Sequence, residues 1–570
     1  MRHTAELSAL FVIVVILLRG FVLEGYLIST GSMAPNLLGF HKRIICPTCD
    51  NLFAFGVTFD DSVDPVVGRS SGDSGLRSYA TCPNCGQVNI NVSKVPNAHG
   101  DQLLVHKHVY DFRSPYRWEI VVFRSPHSPG EAFVKRVVGL PGEQLLVREG
   151  DLFVNGRRTR RPVDIQRAMR LLVSDFHHLA EDDDWEMSWH ADKHWEQSGD
   201  TLVSHAQAGS DQTAWIQFRN WRWHGGDHFV ETPLGADDAQ EAMLDLRERF
   251  RNLPVSIADR IEYDREREVL RCQGVMPVEL QKLLLSRSSN KNFHAAIYRI
   301  AALSHLAPVT DHYGYNSMVT AEEHEVRDLM MVASVSWDLP PDAVVMQVPV
   351  ENETYEVRLD IALQQITLSP LSDPEEQVQG RFSIDTIQSA GEADERPGIE
   401  IEVSNFDRQI LVAVNGQTCL PPMMTEADLP PDQDRNPDDR QAPFPPSDAE
   451  LAGRTALLVQ QQQRWKLGVT NGEARLESLK MYRDVYYTPG RRINAVDREY
   501  IVPPDSYFVQ GDNSPVSSDS RNWTKPAVPH EMLLGKPFLV HLPSYPATLS
   551  LGDRQIPIRI PDFSRIRYIR

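Results

Sequence analysis

Ser32 and Lys135 are the two residues whose types and surroundings could together carry out nucleophilic catalysis. Ser32 lies in the turn at residues 30–35, directly after the membrane-length apolar stretch of the chain. A serine hydroxyl is a weak nucleophile that needs an adjacent base, and none of the 19 histidines is marked by a motif. Lys135 interrupts the apolar, strand-like segment 133–140, where desolvation would lower its pKa. The pair predicts a serine nucleophile activated by a neutral lysine.

A third segment, residues 511–521, could supply a hydroxyl that orients such a lysine. It reads GDNSPVSSDSR and follows the apolar run at 507–509. Considered alone, this segment is equally typical of a Ca²⁺ loop or an Asx-turn. In the same way, Ser32 alone is typical of a turn serine, and Lys135 alone of a strand lysine whose amine reaches solvent. The three segments become informative only as a set.

In their order along the chain, these segments resemble type I signal peptidase, the membrane-anchored Ser-Lys endopeptidase that cleaves signal peptides from exported proteins. That family has an apolar anchor followed by [ST]-G-S-M-x-P, I-V-V-F, K-R-V-V-G-L-P-G and G-D-N-S…S-x-D-S-R. The corresponding segments here are TGSMAP at 30–35, IVVF at 120–123, KRVVGLPG at 135–142, and 511–521. The resemblance covers residues 7–45, 100–156 and 498–540, about a quarter of the chain.

The resemblance implies a role for each matching residue and no cofactor for catalysis. Ser32 would be the nucleophile and Lys135 the general base, with Ser517 orienting the lysine amine. The Ser32 backbone N–H and the Thr30 hydroxyl would form the oxyanion hole. The residues expected to support the site are Asp512, Asp519, Arg521 and Arg136, and those expected to offer a substrate-binding edge are Ile120, Val121, Val122 and Phe123. Shallow pockets would select small residues at the first and third positions before the cleaved bond.

Three features depart from the family pattern. Trp118-Glu119 stands where Gly-Asp is common, and Asn36 stands where Thr usually follows the proline. Ser517 follows Lys135 only after 382 residues, a far longer interval than in compact members. The chain must therefore carry a large insertion between its base and its orienting serine.

Residues 7–23 predict an N-terminal transmembrane anchor. They read LSALFVIVVILLRGFVL, which reaches the lower length limit for a span if Arg19 extends to the interface. A cleaved signal peptide is the competing interpretation, but no small-x-small cleavage site follows. Charge alone does not determine the orientation. The resemblance implies a single-pass protein of the cell membrane with its catalytic domain on the extracytoplasmic side.

The elements that must position these residues are mainly β. We expect an antiparallel β catalytic core carrying an inserted zinc-ribbon-like module and a large, partly β-sandwich (jelly-roll-like) insertion. The Asn415-Gly416 pair after an alternating run signals a hairpin turn in that insertion. The predicted units are an anchor at 1–24, core segments at 25–45, 100–156 and 498–570, a cysteine module at 46–99, a Trp-rich region at 157–329, and a sandwich at 330–497 with a disordered acidic, Pro-rich loop at 421–450.

Four cysteines form a paired CxxC set, Cys46 with Cys49 and Cys82 with Cys85. Two such knuckles suit a tetrahedral Zn²⁺ ion with four thiolate ligands, which closes the site and makes the metal structural. Disulfides are the rival prediction, because thiols outside the cytoplasm tend to oxidise.

The composition limits the other functions. A net charge of −20 and a pI near 5.4 disfavour a nucleic-acid partner, which usually selects a basic surface. Together with the anchor, they exclude a Ser-Lys self-cleaving repressor with a DNA-binding zinc ribbon. The expected partners are the signal peptides of exported preproteins and the lipid bilayer. Six tryptophans between residues 185 and 223 leave room for an envelope glycan or protein partner, and the alternative function is a catalytically degenerate scaffold or glycan-binding protein.

Overall fold

The computed structural model describes residues 10, 20, 22–57, 79–127, 130–179, 188–198, 201–205, 212–222, 229–239, 260–286, 288–316, 324–351, 353–388, 395–425, 465–488, 494–541, 543–551 and 554–569. Most of the predicted anchor and most of the predicted acidic loop, from residue 426 onward, lie outside these ranges. Within them, none of the helices has the length and apolar character needed to cross a membrane. Leu23, expected to end the anchor, instead begins the first strand.

The N-terminal part of the described chain is built almost entirely of short strands. They include the paired strands of the cysteine module and the apolar segments that carry the predicted site. Their bounds are β1 (Leu23–Leu27), β2 (His41–Ile45), β3 (Leu52–Gly56), β4 (Tyr79–Ala80), β5 (Ile90–Asn91), β6 (Asn97–Ala98), β7 (Gln102–His106), helix α1 (Val109–Phe112), β8 (Ile120–Arg124), β9 (Ala132–Gly139), β10 (Gln144–Arg148), β11 (Asp151–Val154) and β12 (Arg157–Arg158).

The insertion follows, and it combines long strands with short helices. Its elements are α2 (Val163–Met169), β13 (Leu171–Asp175), β14 (Trp189–Ala191), β15 (Trp195–Ser198), β16 (Thr201–Ser204), β17 (Thr213–Phe218), β18 (Phe229–Pro233), β19 (Ile261–Asp264), β20 (Val269–Gln273), α3 (Val278–Leu285), α4 (Lys291–Ser304), β21 (Leu329–Ser336), β22 (Ala343–Val350), β23 (Glu353–Asp360), β24 (Gln365–Pro370), β25 (Val378–Arg381), β26 (Asp385–Gln388), β27 (Glu395–Ser404), β28 (Gln409–Val414), β29 (Gln417–Thr418), β30 (Met423–Met424), β31 (Lys466–Thr470) and β32 (Arg475–Arg483).

Several strands after the insertion join the same sheets as the strands before it. They are β33 (Tyr500–Ile501), β34 (Ser506–Gln510), β35 (Ala527–Pro529), β36 (Leu533–His541), β37 (Ser544–Leu551), β38 (Arg554–Pro561) and β39 (Arg567–Tyr568). The core sheet runs in the order β1-β7-β36-β8-β9-β34-β35, so strands from both ends of the chain alternate in it. A second sheet, β12-β11-β10-β33, is assembled in the same way. The core therefore closes only when residues after the insertion are in place.

The insertion contains a β-sandwich whose two sheets enclose one apolar cluster. One sheet runs β15-β16-β32-β21-β27-β28-β29 and the other β14-β17-β31-β22-β23-β24-β25. Inward-facing side chains of both sheets, such as Val335, Ile401 and Val348, belong to the same buried cluster. Asn415 (φ 49°) and Gly416 (φ 79°) form the predicted hairpin turn between β28 and β29, in the left-handed conformation that such turns require.

The sandwich extends beyond the predicted range 330–497. Within residues 171–218, β13 and β16 pair with β32, and β17 pairs with β31. Strand β14 pairs in turn with β17, and β15 with β16, so much of the Trp-rich region belongs to the sandwich. Trp189 and Trp195 are buried in its cluster, and Trp221 is buried against His305. Burial in a core leaves these indoles no face on which a sugar could stack. A separate unit, β18-β20-β19 with α3 and α4, has its own apolar cluster.

Candidate active site

Strand β9 places Lys135 at Ser32. Strand β9 lies between β8 and β34, and Val121 of β8 is opposite Lys135. The Lys135 Nζ donates a hydrogen bond of 2.5 Å to the Ser32 Oγ, and the lysine is only 4% exposed. Burial lowers the pKa of the Lys135 amine to about 8, while Asp519 opposes this shift. An amine with such a pKa has a substantial neutral fraction near physiological pH, so it can accept a proton.

The turn around Ser32 is held by its own backbone and by the loop after β34. The Ala34 N–H donates to the Gly31 carbonyl at 3.0 Å, and the Asn513 N–H donates to the Ser32 carbonyl at 3.1 Å. Met33 and Ala34 are fully buried beside the turn, which fixes the direction in which the Ser32 side chain leaves the backbone.

Arg136 and Asp512 form a buried ion pair behind this turn. Successive residues of a strand face opposite sides, so Lys135 points to Ser32 while Arg136 points to Asp512. The guanidinium donates to both carboxylate oxygens at 2.8 and 2.7 Å, and the Asn36 amide donates to the same carboxylate at 2.9 Å. Asn36, which departs from the family pattern, thus takes part in the contacts that hold the turn. Although burial opposes the shift, Asp512 raises the pKa of Arg136.

Asp519 and Arg521 form a second buried pair in the loop after β34. Two hydrogen bonds of 2.9 and 2.7 Å join them, and Asp519 also accepts from the Gly511 N–H at 3.1 Å. Burial raises the pKa of Asp519, but Arg521 outweighs it and holds that pKa below its usual range. Ser517 is buried in this loop. A side chain at Gly511 would overlap both the Ser517 Oγ and the Ser32 carbonyl, so this glycine lets the loop approach the turn closely.

A cavity of about 640 Å³ opens beside Ser32. Thr30 lies on its wall, together with backbone segments 26–33 and 131–135 and the side chains Val516 and Ser518. Residues 26 and 27 end β1 and residues 28–33 follow it, while residues 132–135 begin β9. Strands β1 and β9 lie four places apart in the core sheet, and the cavity is lined by the segments at these two strand ends.

The prediction that Ile120, Val121, Val122 and Phe123 offer a substrate-binding edge is wrong. Strand β8 pairs with β9 on one side and with β36 on the other, and all four side chains are buried. The cavity is lined instead by residues 132–135 of β9 and by Glu131 before them. Among the described residues, the pairing of β34 with β9 covers only residues 136–139, which leaves the first half of β9 without a partner on that side.

The other departure, Trp118-Glu119, also has a structural account. Trp118 adopts a left-handed backbone conformation with φ of 71°, which glycine adopts without steric cost. Its buried indole contacts the apolar cluster that includes Ala34, and the Arg161 guanidinium lies 5.3 Å above the ring. Glu119 pairs with Arg113 and Lys536 at 2.6 Å each. These contacts offset the strain that a non-glycine residue introduces.

The four predicted cysteines lie together. All four Sγ atoms are within 4.8 Å of one another, and the Cys46–Cys85 and Cys49–Cys82 sulfur pairs are 3.6 and 3.7 Å apart. In each knuckle, a backbone N–H returns to the carbonyl of the first cysteine, from Asp50 to Cys46 and from Gly86 to Cys82. A tetrahedral zinc–thiolate site with bonds of about 2.3 Å has sulfurs about 3.8 Å apart, so the cysteines fit such a site.

The structure adds residues that the sequence did not point out. Asn513 lies inside the matched motif, and its carboxamide donates to the Gly31 carbonyl at 2.9 Å. Tyr313 and Asn316 come from the insertion and bond Asp512 and Asn513 of the loop, while the ring of Tyr315 packs on Gly31 of the turn. The motif GDNS could have drawn attention to Asn513, whereas nothing in the sequence around residue 313 signals contact with a segment nearly 300 residues away.

The family model described as "Signal peptidase, peptidase S26" matches residues 87–204 and 408–542. Its first matched range includes β8 and β9 with Lys135, and its second includes the 511–521 loop. Both ranges also extend into strands of the sandwich.

Curated relatives match over short segments. The chain is 38% identical over 63 residues to signal peptidase I V of Bacillus subtilis, covering 11% of this chain and 36% of that protein. It is 40% identical over 62 residues to a probable signal peptidase I of Synechocystis, covering 10% and 28%. The matched part of the chain thus spans about a third of these relatives' length.

Among solved structures, a galectin of Caenorhabditis elegans matches 27% of this chain and 81% of its own at 8% identity, with a TM-score of 0.15. A TM-score this low supports no inference about the sandwich. The family match includes Lys135 and the 511–521 loop, whereas Ser32 lies before its first matched residue. By these matches, parts of the chain are similar to the signal peptidase family, peptidase S26.

Proposed function

We propose that this protein is a serine endopeptidase that removes signal peptides from exported preproteins, with Ser32 and Lys135 as its catalytic dyad. One observation carries the proposal: the amine of a buried lysine lies 2.5 Å from a serine hydroxyl at the edge of a cavity. A purely structural lysine gains nothing from this placement, because burial without a carboxylate partner costs free energy.

The proposed reaction has two steps. The neutral Lys135 amine accepts the Ser32 hydroxyl proton while the Ser32 Oγ attacks the scissile carbonyl carbon. The peptide C–N bond then breaks, the leaving amine takes the proton from Lys135, and an ester to Ser32 remains. In the second step, Lys135 activates a water molecule that hydrolyses the ester and restores the serine.

The remaining predicted roles complete this proposal. The Ser32 backbone N–H and the Thr30 hydroxyl stabilise the oxyanion, as donors aimed at developing charge do. Ser517, buried beside the turn, orients the lysine. The Arg136–Asp512 and Asp519–Arg521 pairs support the site by fixing the strand and the loop on either side of the dyad.

The substrate binds as an extended strand across the cavity. Residues 26–29 and residues 132–134 of β9 line the same cavity as Ser32. Backbone groups at an unpaired strand edge can hydrogen-bond a peptide. Ile28, Met33 and Val134 among the lining residues would form the shallow apolar pockets that accept small side chains.

We further propose that residues 7–23 anchor the chain in the cell membrane, with the catalytic domain on the extracytoplasmic side. The apolar composition of that segment supports the anchor. Strand β1 begins at its end and leads within a few residues to Ser32. The bilayer is then a partner that keeps the nucleophile where a membrane-embedded signal peptide presents its cleavage site.

We propose a structural zinc ion at Cys46, Cys49, Cys82 and Cys85, within a zinc-ribbon-like module. The sulfur separations of 3.6 and 3.7 Å support this, since a disulfide joins its sulfurs at about 2.05 Å. The Asn84 amide also donates to the Cys49 Sγ at 3.5 Å, a second contact of the kind that orients metal ligands.

The alternative, a degenerate scaffold or glycan-binding protein, is less well supported. It gives no reason for the short Lys135–Ser32 contact. Of the described tryptophans in the Trp-rich region, those at 189, 195 and 221 are buried, and partly buried Trp215 has the Lys466 amine over its ring. A jelly-roll relationship and an envelope partner for the sandwich stay predictions.

The test is cleavage of a secretory preprotein by the full chain in detergent micelles. Ser32→Ala and Lys135→Met, which keeps the buried volume, should each lower kcat/KM about a thousandfold or more. Lys291→Met, a change at an exposed insertion lysine, should leave it unchanged. A preprotein-derived acyl group detected on Ser32 by mass spectrometry would support the mechanism, and full activity of either dyad variant would refute it.

A further inference from the structure

Residues 312–316 of the insertion lie against the turn that carries Ser32. The Tyr315 carbonyl accepts from the Gly56 N–H at 2.8 Å, and the Tyr315 hydroxyl donates to the Phe40 carbonyl at 3.2 Å. Its ring packs so closely on Gly31 that a side chain at that glycine would overlap it. The Tyr313 hydroxyl donates to the Asp512 carbonyl at 2.6 Å. The insertion is therefore part of the packing behind the site.

Asn513 is the residue through which this segment meets the nucleophile. Its backbone N–H donates to the Ser32 carbonyl at 3.1 Å, and its Nδ2 donates to the Gly31 carbonyl at 2.9 Å. Asn513 is fully buried. It thus holds the two peptide groups that set the position of the Ser32 N–H and the Ser32 Oγ.

Asn316 fixes the orientation of the Asn513 carboxamide. The two side chains exchange a pair of hydrogen bonds: Asn316 Nδ2 donates to Asn513 Oδ1, and Asn513 Nδ2 donates to Asn316 Oδ1, both at 2.8 Å. A carboxamide nitrogen has two hydrogens, so Asn513 Nδ2 uses one on Asn316 and one on Gly31. With the pair intact, the Asn513 oxygen cannot turn toward the Gly31 carbonyl without losing bonds at both ends.

We propose that Asn316, supplied by the insertion, is a positioning residue for the Ser32 turn. It orients Asn513, which holds the Gly31 and Ser32 carbonyls and thereby the nucleophile and the oxyanion donor. Asn316 is not one of the described residues that line the cavity. It therefore acts without touching the substrate. The inference rests on the proposed function. It also gives the insertion a role in the site from which it is so distant in sequence.

The first test compares Asn316→Ala and Asn316→Asp with the unsubstituted chain in the preprotein assay. Asn316→Ala should lower kcat about tenfold, the effect of one hydrogen bond that holds a reacting group, with KM unchanged. Asn316→Asp should lower kcat further, because its carboxylate can only accept and so draws the Asn513 NH₂ away from Gly31. The pH midpoint should not move, since Lys135 keeps its surroundings.

Asn290→Ala is the matched control. Asn290 caps α4 by accepting from the Asn292 and Phe293 N–H groups at 2.8 and 3.0 Å, so its loss destabilises the insertion away from the site. The kcat of the Asn290→Ala variant should equal that of the unsubstituted chain. If Asn290→Ala lowers kcat as much as Asn316→Ala, the effect is general destabilisation and the inference is wrong.

A double-mutant cycle with Asn513→Ala tests whether Asn316 acts through Asn513. The double variant should be no slower than Asn513→Ala alone, and additive losses would overturn the inference. Hydrogen exchange gives a readout that does not need activity: the Ala34 and Asn513 N–H groups, which donate to Gly31 and Ser32, should lose protection in Asn316→Ala. Unchanged protection would refute the positioning role even in a chain that cleaves preproteins. Lost protection in a chain without peptidase activity would uphold it and refute the function instead.

Discussion

At the scale of single residues, the site depends on the burial of the Lys135 amine, which is unfavourable for its charged form. Lys135 is surrounded by apolar strands and approaches a hydroxyl rather than a carboxylate, so the fold stabilises its neutral form. Asp519 is the carboxylate that most opposes the lowering of the Lys135 pKa. It already accepts two hydrogen bonds from Arg521. The two buried ion pairs thus keep their carboxylates from restoring an ordinary pKa to the lysine.

This predicts a single rising limb in the pH dependence of cleavage. With a Lys135 pKa of about 8, the neutral base is lost as pH falls, so kcat/KM should drop about tenfold per pH unit below that value and level off above it. The measurement is kcat/KM from pH 5.5 to 9.5 at constant ionic strength. A midpoint near 6.5 would indicate a histidine base instead.

The residues that sequence could predict are those in local motifs. Ser32, Lys135 and the two Arg–Asp pairs lie in short segments whose residue types suit their chemistry, and the structure brings these segments together. Asn316 and Tyr313 could not be predicted, because they act through two hydrogen bonds and one, respectively, to residues nearly 200 positions away in the chain. No residue type or spacing encodes such a contact.

At the scale of elements, the two strands that flank the dyad have different roles. The apolar run IVVF in β8 has no polar alternation, a pattern that is typical of a strand buried on both faces. The structure agrees, since β8 lies inside the sheet. Strand β9 has two parts: residues 136–139 pair with β34, while residues 132–135 line the cavity. The family resemblance led us to expect the edge on β8, although the residue pattern already favoured an interior strand.

If the substrate pairs with the β9 edge, every second backbone N–H group of the substrate should be needed for cleavage. N-methylation of substrate residues whose N–H faces β9 should lower kcat/KM about fivefold for each hydrogen bond lost, because a methylated nitrogen cannot donate. Methylation of the residues between them, whose N–H points away, is the matched control and should have little effect. Equal losses at every position would contradict strand addition, and so would no loss at any.

At the scale of the whole molecule, the cysteine module joins the core to the insertion. Strand β3 of the module contacts Tyr315, and the Arg222 guanidinium donates to the Pro83 and Asn84 carbonyls at 2.6 and 3.0 Å. The sandwich meets the core through Arg161, whose guanidinium bonds the buried Asp407 and Asp484 carboxylates. Sequence predicted the separate modules from local patterns, but their joints and the recruitment of residues 171–218 depend on non-local pairing that no local pattern reveals.

Loss of the proposed metal should therefore weaken more than the module. We expect one zinc ion per purified chain. Cys82→Ser combined with Cys85→Ser should abolish metal binding and lower the Tm by about 5 °C or more, because metal binding contributes directly to folding. Metal content by plasma mass spectrometry and calorimetry would measure both. Cys419→Ser, outside the module, is the control. A metal-free chain lighter by four hydrogens would establish two disulfides instead.

The separation of 376 residues between Arg136 and Asp512 also determines when the site can assemble during synthesis of the chain. A ribosome adds about 5 to 20 residues per second, so Arg136 leaves it roughly 20 to 75 s before its partner carboxylate is made. Until then β9 lacks β34, and the loop that grips the Ser32 carbonyl does not exist. A nascent or prematurely terminated chain thus carries both dyad residues but no assembled site. The interruption of the core by the insertion delays assembly of the candidate site until the loop at residues 511–521 has been synthesised.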